Sequence, residues 1–176
     1  MFTSTARSTR GSVVMKSTCH GLFLTAVTLL SVALVPNRAS AQLRPSRSVA
    51  AEGAQRALAA ASAEARKQGW TVSIAVVDPA GELIAFLRMD GALHASVNIA
   101  QAKARTAARF RRPTRGLDSA LTAGRLAILG LEGVTPVEGG VPIVVNGEVV
   151  GAVGVSGVTS AQDAQVALTG AAAVQP

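Results

Sequence analysis

The sequence predicts a single-domain α/β sandwich in which a mainly antiparallel sheet is flanked by helices. Three observations lead there. Val72, Ile74 and Val76 alternate with Ser73, Ala75 and Val77, the period of a β-strand. Asn146-Gly147 separates two β-branched runs, Val141 to Val145 and Glu148 to Ser156, which is the preferred two-residue type I′ hairpin. Alanine-rich stretches with helical spacing surround these strands, in the order helix, two strands, two helices, two or three strands, helix. That order requires no strand-helix-strand crossover, so helices packed on an antiparallel sheet satisfy it.

The chain opens with a segment expected to stand apart from the domain. Gly21 to Val35 is a 15-residue, largely apolar run preceded by Lys16 and followed by Ala39-Ser40-Ala41. The run is short of the roughly 20 residues of a membrane span, and the small residues match a cleavage site. Residues 1–41 are therefore expected to be a secretory signal peptide cut before Gln42, with Met15 competing with Met1 as the start and an uncleaved anchor as the alternative. Residues 42–47 form a polar leader and 48–176 the domain. The expected location is periplasmic or extracellular.

The first helix is expected from Ser48 as its cap, with Ala50, Ala54, Ala57, Leu58 and Ala61 inward and Gly69 at its end. Trp70 to Val77 and Glu82 to Leu87 read as strands joined by the turn Asp78-Pro79-Ala80-Gly81. A helix from Leu93 to Arg112 follows, stopped by Pro113. The next is expected from Thr114 or Arg115 to Leu129 with Leu117, Leu121, Leu126 and Leu129 inward. Gly151 and Gly154 inside the last strand mark a bulge or a close approach by another backbone. Ser160 is expected to cap the final helix, with Asp163 completing a capping-box-like start.

Composition removes several function classes. Four of the 17 cations and none of the 10 acids precede Gln42, which leaves 13 cations against 10 acids, a net charge of +3 rather than +7. With only Trp70, Phe86 and Phe110 as aromatics after residue 41, neither a strong basic field nor stacking platforms for nucleic acid exist. Cys19 falls inside the signal segment, so the exported part has no thiol and relies on core burial. No membrane association is expected after cleavage. One histidine and no cysteine are too few for a usual zinc site. Gly154-Val155-Ser156-Gly157 is followed by Val158, so it is not a nucleophile elbow.

Most of the unusual chemistry lies between Arg88 and Arg115. Leu93, Val97, Ala100, Ala104 and Ala107 recur at helical spacing and are expected to face the core. His94, Asn98, Gln101, Arg105, Arg109 and Arg112 fall on the opposite stripe. Six cations stand between Lys103 and Arg115 without an acid. They read either as partners for carboxylate or phosphate groups or as a solvated helix end that complements its dipole. Glu138-Gly139-Gly140 reads first as a sharp loop, and second as a carboxylate at a pocket mouth.

Five blocks together resemble the GlcG/HbpS family of haem-binding proteins: Val76-Val77-Asp78-Pro79-Ala80-Gly81, Arg88-Met89-Asp90-Gly91-Ala92, Lys103-Ala104-Arg105-Thr106-Ala107, Val134 to Ile143, and Gly151 to Gly157. The resemblance spans about residues 50 to 174. It implies a small α/β domain that self-assembles, binds haem in some members and, in an exported member, serves a redox-sensing system. Haem is thus the implied cofactor. Haem iron is ordinarily held by His, Met, Cys or Tyr, so His94 is the leading ligand candidate and Met89 the other, against bland readings as a tolerated surface histidine and a gap-filling methionine. Arg88 and Arg105 are candidates for the propionates. His94 and Arg105 are 11 residues apart, about 16 Å along a helix, so joint action requires a subunit boundary.

Three functional readings stay open at this point. The first is an exported haem-binding protein that sequesters, carries or senses haem, with no catalytic residue assigned. The second is an enzyme of the same fold, degrading haem or acting on a small organic acid through Glu138, Arg88 or Arg105. The third is a non-catalytic module that partners an extracytoplasmic sensor or receptor. A homo-oligomer is expected in each, because Ala and Gly occupy several faces of the first and last helices and a monomer core is thin in large side chains.

Overall fold

A computed structural model of the chain describes residues 46–174. The expected signal segment and most of the leader lie outside them. Four strands form one antiparallel sheet in the order β2-β1-β4-β3: β1 (Ser73–Val77), β2 (Leu83–Arg88), β3 (Gly140–Val145) and β4 (Glu148–Ser156). The helices are α1 (Ala51–Lys67), α2 (Ser96–Phe110), α3 (Arg115–Thr122) and α4 (Ser160–Ala172), with a 3-10 turn at Leu126–Gly130. The sandwich of antiparallel sheet and flanking helices is the predicted one.

Both faces of the sheet are covered. On one face Val72, Ile74, Val76, Val153 and Val155 pack against Ala54, Ala57, Ala61 and Ala65 of α1 and Val166 and Ala167 of α4. On the other, Ala75, Val77 and Ala152 meet Ala100, Ala104, Ala107 and Ala108 of α2. A buried Val or Ile contributes roughly 1.5–3 kcal/mol and an alanine much less, so the α2 layer depends on close approach. Gly154 allows it: a Cβ there would run into the backbone of Ala100 and Ala104. This is the close backbone contact that the strand glycines foretell. Asn146 (φ 52°) and Gly147 (φ 78°) both have positive φ, as a type I′ turn demands.

Several element boundaries differ from expectation. Ser48 does not cap α1; its hydroxyl meets the Val49 carbonyl, Ala50 is the N-cap without a side-chain bond, and the chain is fastened instead by Val49 N–H donating to Val150 O at 2.8 Å. α2 begins at Ser96, not Leu93, because the Ser96 hydroxyl closes a turn on Leu93 O (2.6 Å) and meets Ser73 Oγ at 2.8 Å. Leu93 is consequently 66% exposed instead of buried. The helix after Pro113 stops at Thr122, since Gly124 is left-handed (φ 89°). Leu117 is buried as expected, but Leu126 and Leu129 are 68% and 61% exposed. The cap of α4 is Thr159, which forms a capping box with Gln162. That one-residue shift turns Asp163 inward.

The alanines and glycines of the end helices have a use within the chain. Ala57 and Ala61 of α1 lie against Gly170 of α4, where an added Cβ would crowd the Ala57 carbonyl and the Ala61 methyl at 3.0 Å each. Those small residues bring α1 and α4 together.

Candidate functional site

Arg88, the last residue of β2, donates from Nε (3.2 Å) and Nη2 (2.9 Å) to the Ala92 carbonyl. Met89 N–H donates to Val72 O at 3.1 Å, and Gly91 adopts φ 82°. A compact turn results, and it lifts Leu93, His94 and Ala95 into solvent ahead of α2. His94 therefore sits on this turn and not on a helical stripe. Leu93 before it is exposed, and Ile99, one turn into α2, is 39% exposed. No hydrogen bond or ion pair engages the imidazole among the described residues.

Met89 packs against the edge of the α1/α4 core, which favours its reading as a filling side chain. It also lines, with Arg66, Leu87, Arg88 and Asp90, an open cleft of about 270 Å³. Arg88 and Met89 are thus brought together beside the His94 turn. Arg105 is not. Its Nε donates to Gly81 O at 3.3 Å, and Arg109 donates to Ala80 O at 2.7 Å while meeting Glu82 at 3.5 Å. These two arginines clamp the β1–β2 turn.

The row of six cations is likewise divided. Lys103, read from sequence as part of a solvated or ligand-facing series, is buried: its ammonium lies 2.8 Å from Asp163 Oδ2, both side chains 2% exposed, and donates to Val155 O at 3.1 Å. Burial pushes the Asp163 carboxyl above the usual carboxylate range, against the opposing pull of the Lys103 hydrogen bond and charge. Arg115 pairs with Glu138 at 3.6 Å on the surface.

Glu138-Gly139-Gly140 is the sharp loop expected, with Gly139 packed on the buried pair and Gly140 on the Lys103 carbonyl and the Thr114 side chain. A Cβ on Gly139 would lie 2.8 Å from Lys103 Nζ and 2.9 Å from Asp163 Cβ. The loop is fastened from α2 and α3: Thr106 Oγ1 accepts from Thr135 N–H (2.9 Å), Asp118 Oδ2 from Glu138 N–H (2.9 Å), and Thr114 Oγ1 from Gly140 N–H (2.9 Å). Glu138, its side chain 19% exposed, also borders an open cleft of about 380 Å³ with Arg115, Ala164 and Leu168. The loop reading therefore holds, with Glu138 at the edge of an open cleft. The anchors Thr106, Thr114, Asp118 and the Lys103–Asp163 pair escaped the sequence reading, because partners 20 to 60 positions apart leave no local pattern. Among the described residues, no three His, Cys, Asp or Glu side chains gather as a metal site.

The family model for haem-degrading HbpS-like proteins matches residues 49–172. The chain belongs to the HbpS-like family. It is 50% identical over 99 residues to Protein GlcG of Escherichia coli strain K12, covering 56% of this chain and 74% of that protein. A double mutant of Streptomyces reticuli HbpS superposes with TM-score 0.69 at 36% identity, over 74% of this chain and 90% of that one. A crystal structure of PduOC in complex with haem gives TM-score 0.66 at 27% identity, over 72% and 95%. Family membership and the α/β sandwich are thereby both established, and they agree with the resemblance carried by the five sequence blocks.

Proposed function

We propose that this chain is an exported haem-binding protein that holds haem at the His94 turn. The observation that carries the reading is a solvent-exposed imidazole without a hydrogen bond or ion pair among the described residues, next to exposed Leu93, in a chain similar in fold to PduOC, which is solved in complex with haem. The residues fit the group: imidazole is a usual ligand of haem iron, and aliphatic side chains beside it suit a macrocycle face. Haem would supply iron chemistry or an optical and redox signal; the chain's own part is to bind and orient it.

The His94 surface is open, and Arg88 is committed to Ala92 O. Arg66, which shares the Arg88–Met89 cleft, is a better propionate partner than Arg105, whose guanidinium serves the Gly81 turn. A second subunit laid over His94 would complete the enclosure. Exposed Leu126 and Leu129 supply apolar area for self-association, and an extracytoplasmic sensor remains the partner proposed for a reporting role. The organic-acid enzyme reading draws less support, since Glu138, Arg88 and Arg105 occupy three separate places.

Titration of the purified protein with haemin tests the proposal. A saturable Soret band is expected, and His94→Ala should weaken binding and move the band. An identical spectrum and affinity in His94→Ala would place the iron elsewhere. Peroxide or a reductant added to the complex separates stable binding from degradation of the macrocycle.

A further inference from the structure

At the far end of α2, about 22 Å from the His94 turn for 15 helical residues at 1.5 Å each, a second cleft opens. Phe110, Leu117, Ile128 and Leu131 line it, Arg112 and Arg125 complete its wall, and its volume is about 210 Å³. Leu117 and Ile128 form a buried floor, 2% and 3% exposed. Leu131, 44% exposed, leaves the wall open to solvent.

The charge around this cleft is unbalanced. Arg112 and Arg125 make no side-chain hydrogen bond or ion pair among the described residues. The neighbouring arginines of the same region that do have partners are accounted for: Arg109 by Glu82 and Ala80 O, Arg115 by Glu138. Arg111 adds a further exposed cation at the C-terminus of α2. Of the acids on the surrounding elements, Asp118 accepts the Glu138 N–H, and Glu132 is exposed without an ion pair among the described residues. The cleft thus combines an apolar floor with two guanidiniums that pair with no carboxylate among the described residues.

We propose that this cleft binds a small organic carboxylate with an apolar body, its carboxylate between Arg112 and Arg125 and its hydrocarbon on Phe110, Leu117 and Ile128. Guanidinium groups favour carboxylates through paired charge-assisted hydrogen bonds. The volume suits such a ligand, since an apolar cavity of about 150 Å³ already takes a benzene ring. An apolar lining with a few placed polar groups is the general form of a small-molecule site. The cleft is separate from the His94 turn, whose residues are not among those that line it.

Hexanoate is the probe, with hexanamide as its uncharged counterpart, and calorimetry on the purified chain is the measurement. Hexanoate is expected to bind with a Kd on the order of 1 mM, and hexanamide about tenfold more weakly. Arg112→Met and Arg125→Met keep the apolar stems and should each weaken hexanoate about tenfold while leaving hexanamide unchanged. Arg56→Met, on α1, should change neither. Equal affinity for the two probes, or full hexanoate affinity in both arginine variants, would overturn the proposal. So would an absence of binding at about 10 mM together with a change of assembly mass in Leu131→Glu by light scattering, which would make the cleft a contact between copies of the chain.

Discussion

Breaking the Lys103–Asp163 pair is the sharpest perturbation available. Both side chains are 2% exposed and 2.8 Å apart, so removing one leaves a charge in a site that excludes water. Loss of one partner of such a pair costs about 3–5 kcal/mol. That is a large share of a typical stability of about 5–15 kcal/mol. For a domain of this size, the melting temperature should fall by roughly 10–20 °C.

The pH dependence has a definite sign in Lys103→Met. Burial already raises the Asp163 carboxyl above its ordinary value, and the largest opposing influences, a hydrogen bond and a charge, come from Lys103, with lesser ones from the Val158 and Gly157 backbone. Without Lys103 the folded-state value rises further above the unfolded one of about 3.9. The native state then binds a proton more tightly than the unfolded chain, so the variant gains stability as pH falls through its raised value and loses it as pH rises. The loss relative to wild type should be largest near neutrality and shrink toward about pH 4. Asp163→Asn should instead stay destabilised across this range, because the buried ammonium has no carboxylate at any pH. The double variant Lys103→Met/Asp163→Leu should recover most of the loss, since apolar replacement of a buried pair is often neutral or stabilising by about 1–4 kcal/mol. Urea unfolding at several pH values checks all three. A Lys103→Met penalty below about 1 kcal/mol with a flat pH profile would refute the reasoning.

Four further outcomes follow from particular contacts. Gly154→Ala should destabilise by about 1–3 kcal/mol in urea, because its Cβ would meet backbone at Ala100 and Ala104 and α2 must shift. Thr159→Ala should cost about 1 kcal/mol by loss of the α4 capping box, measured by thermal unfolding. Leu93→Asp should weaken haemin binding while changing stability by less than about 0.5 kcal/mol, since the side chain is 66% exposed. Arg105→Ala should cost about 1 kcal/mol through the Gly81 turn and leave the haemin spectrum unchanged.

Mass spectrometry of exported material tests the expected cleavage between Ala41 and Gln42. A product that retains Leu22 to Val35 would refute it.

Much of the fold was legible because its signals are local. The alternation through β1, the Asn146-Gly147 turn and the strand glycines each encode a backbone conformation that neighbouring residues determine, and the antiparallel sandwich follows from their order. The helix ends were less legible. Ser48, Leu93 and Ser160 all carried reasonable cap or stripe signals, yet the Val49–Val150 bond, the Ser96–Ser73 contact and the Thr159–Gln162 box moved each start. A cap competes with neighbours of similar propensity, and tertiary partners decide among them.

By itself, the sequence determined the sheet, the absence of cysteine after residue 41, and His94 as the sole imidazole of the described part. Only the tertiary structure divided one run of six cations into a buried ammonium, two turn clamps, a surface ion pair and guanidiniums that pair with no carboxylate among the described residues. It also turned Asp163 from a cap residue into the partner of Lys103, 60 positions away. Charge is a property of the residue, but whether that charge meets water, a carboxylate or a carbonyl depends on chain segments far apart in sequence.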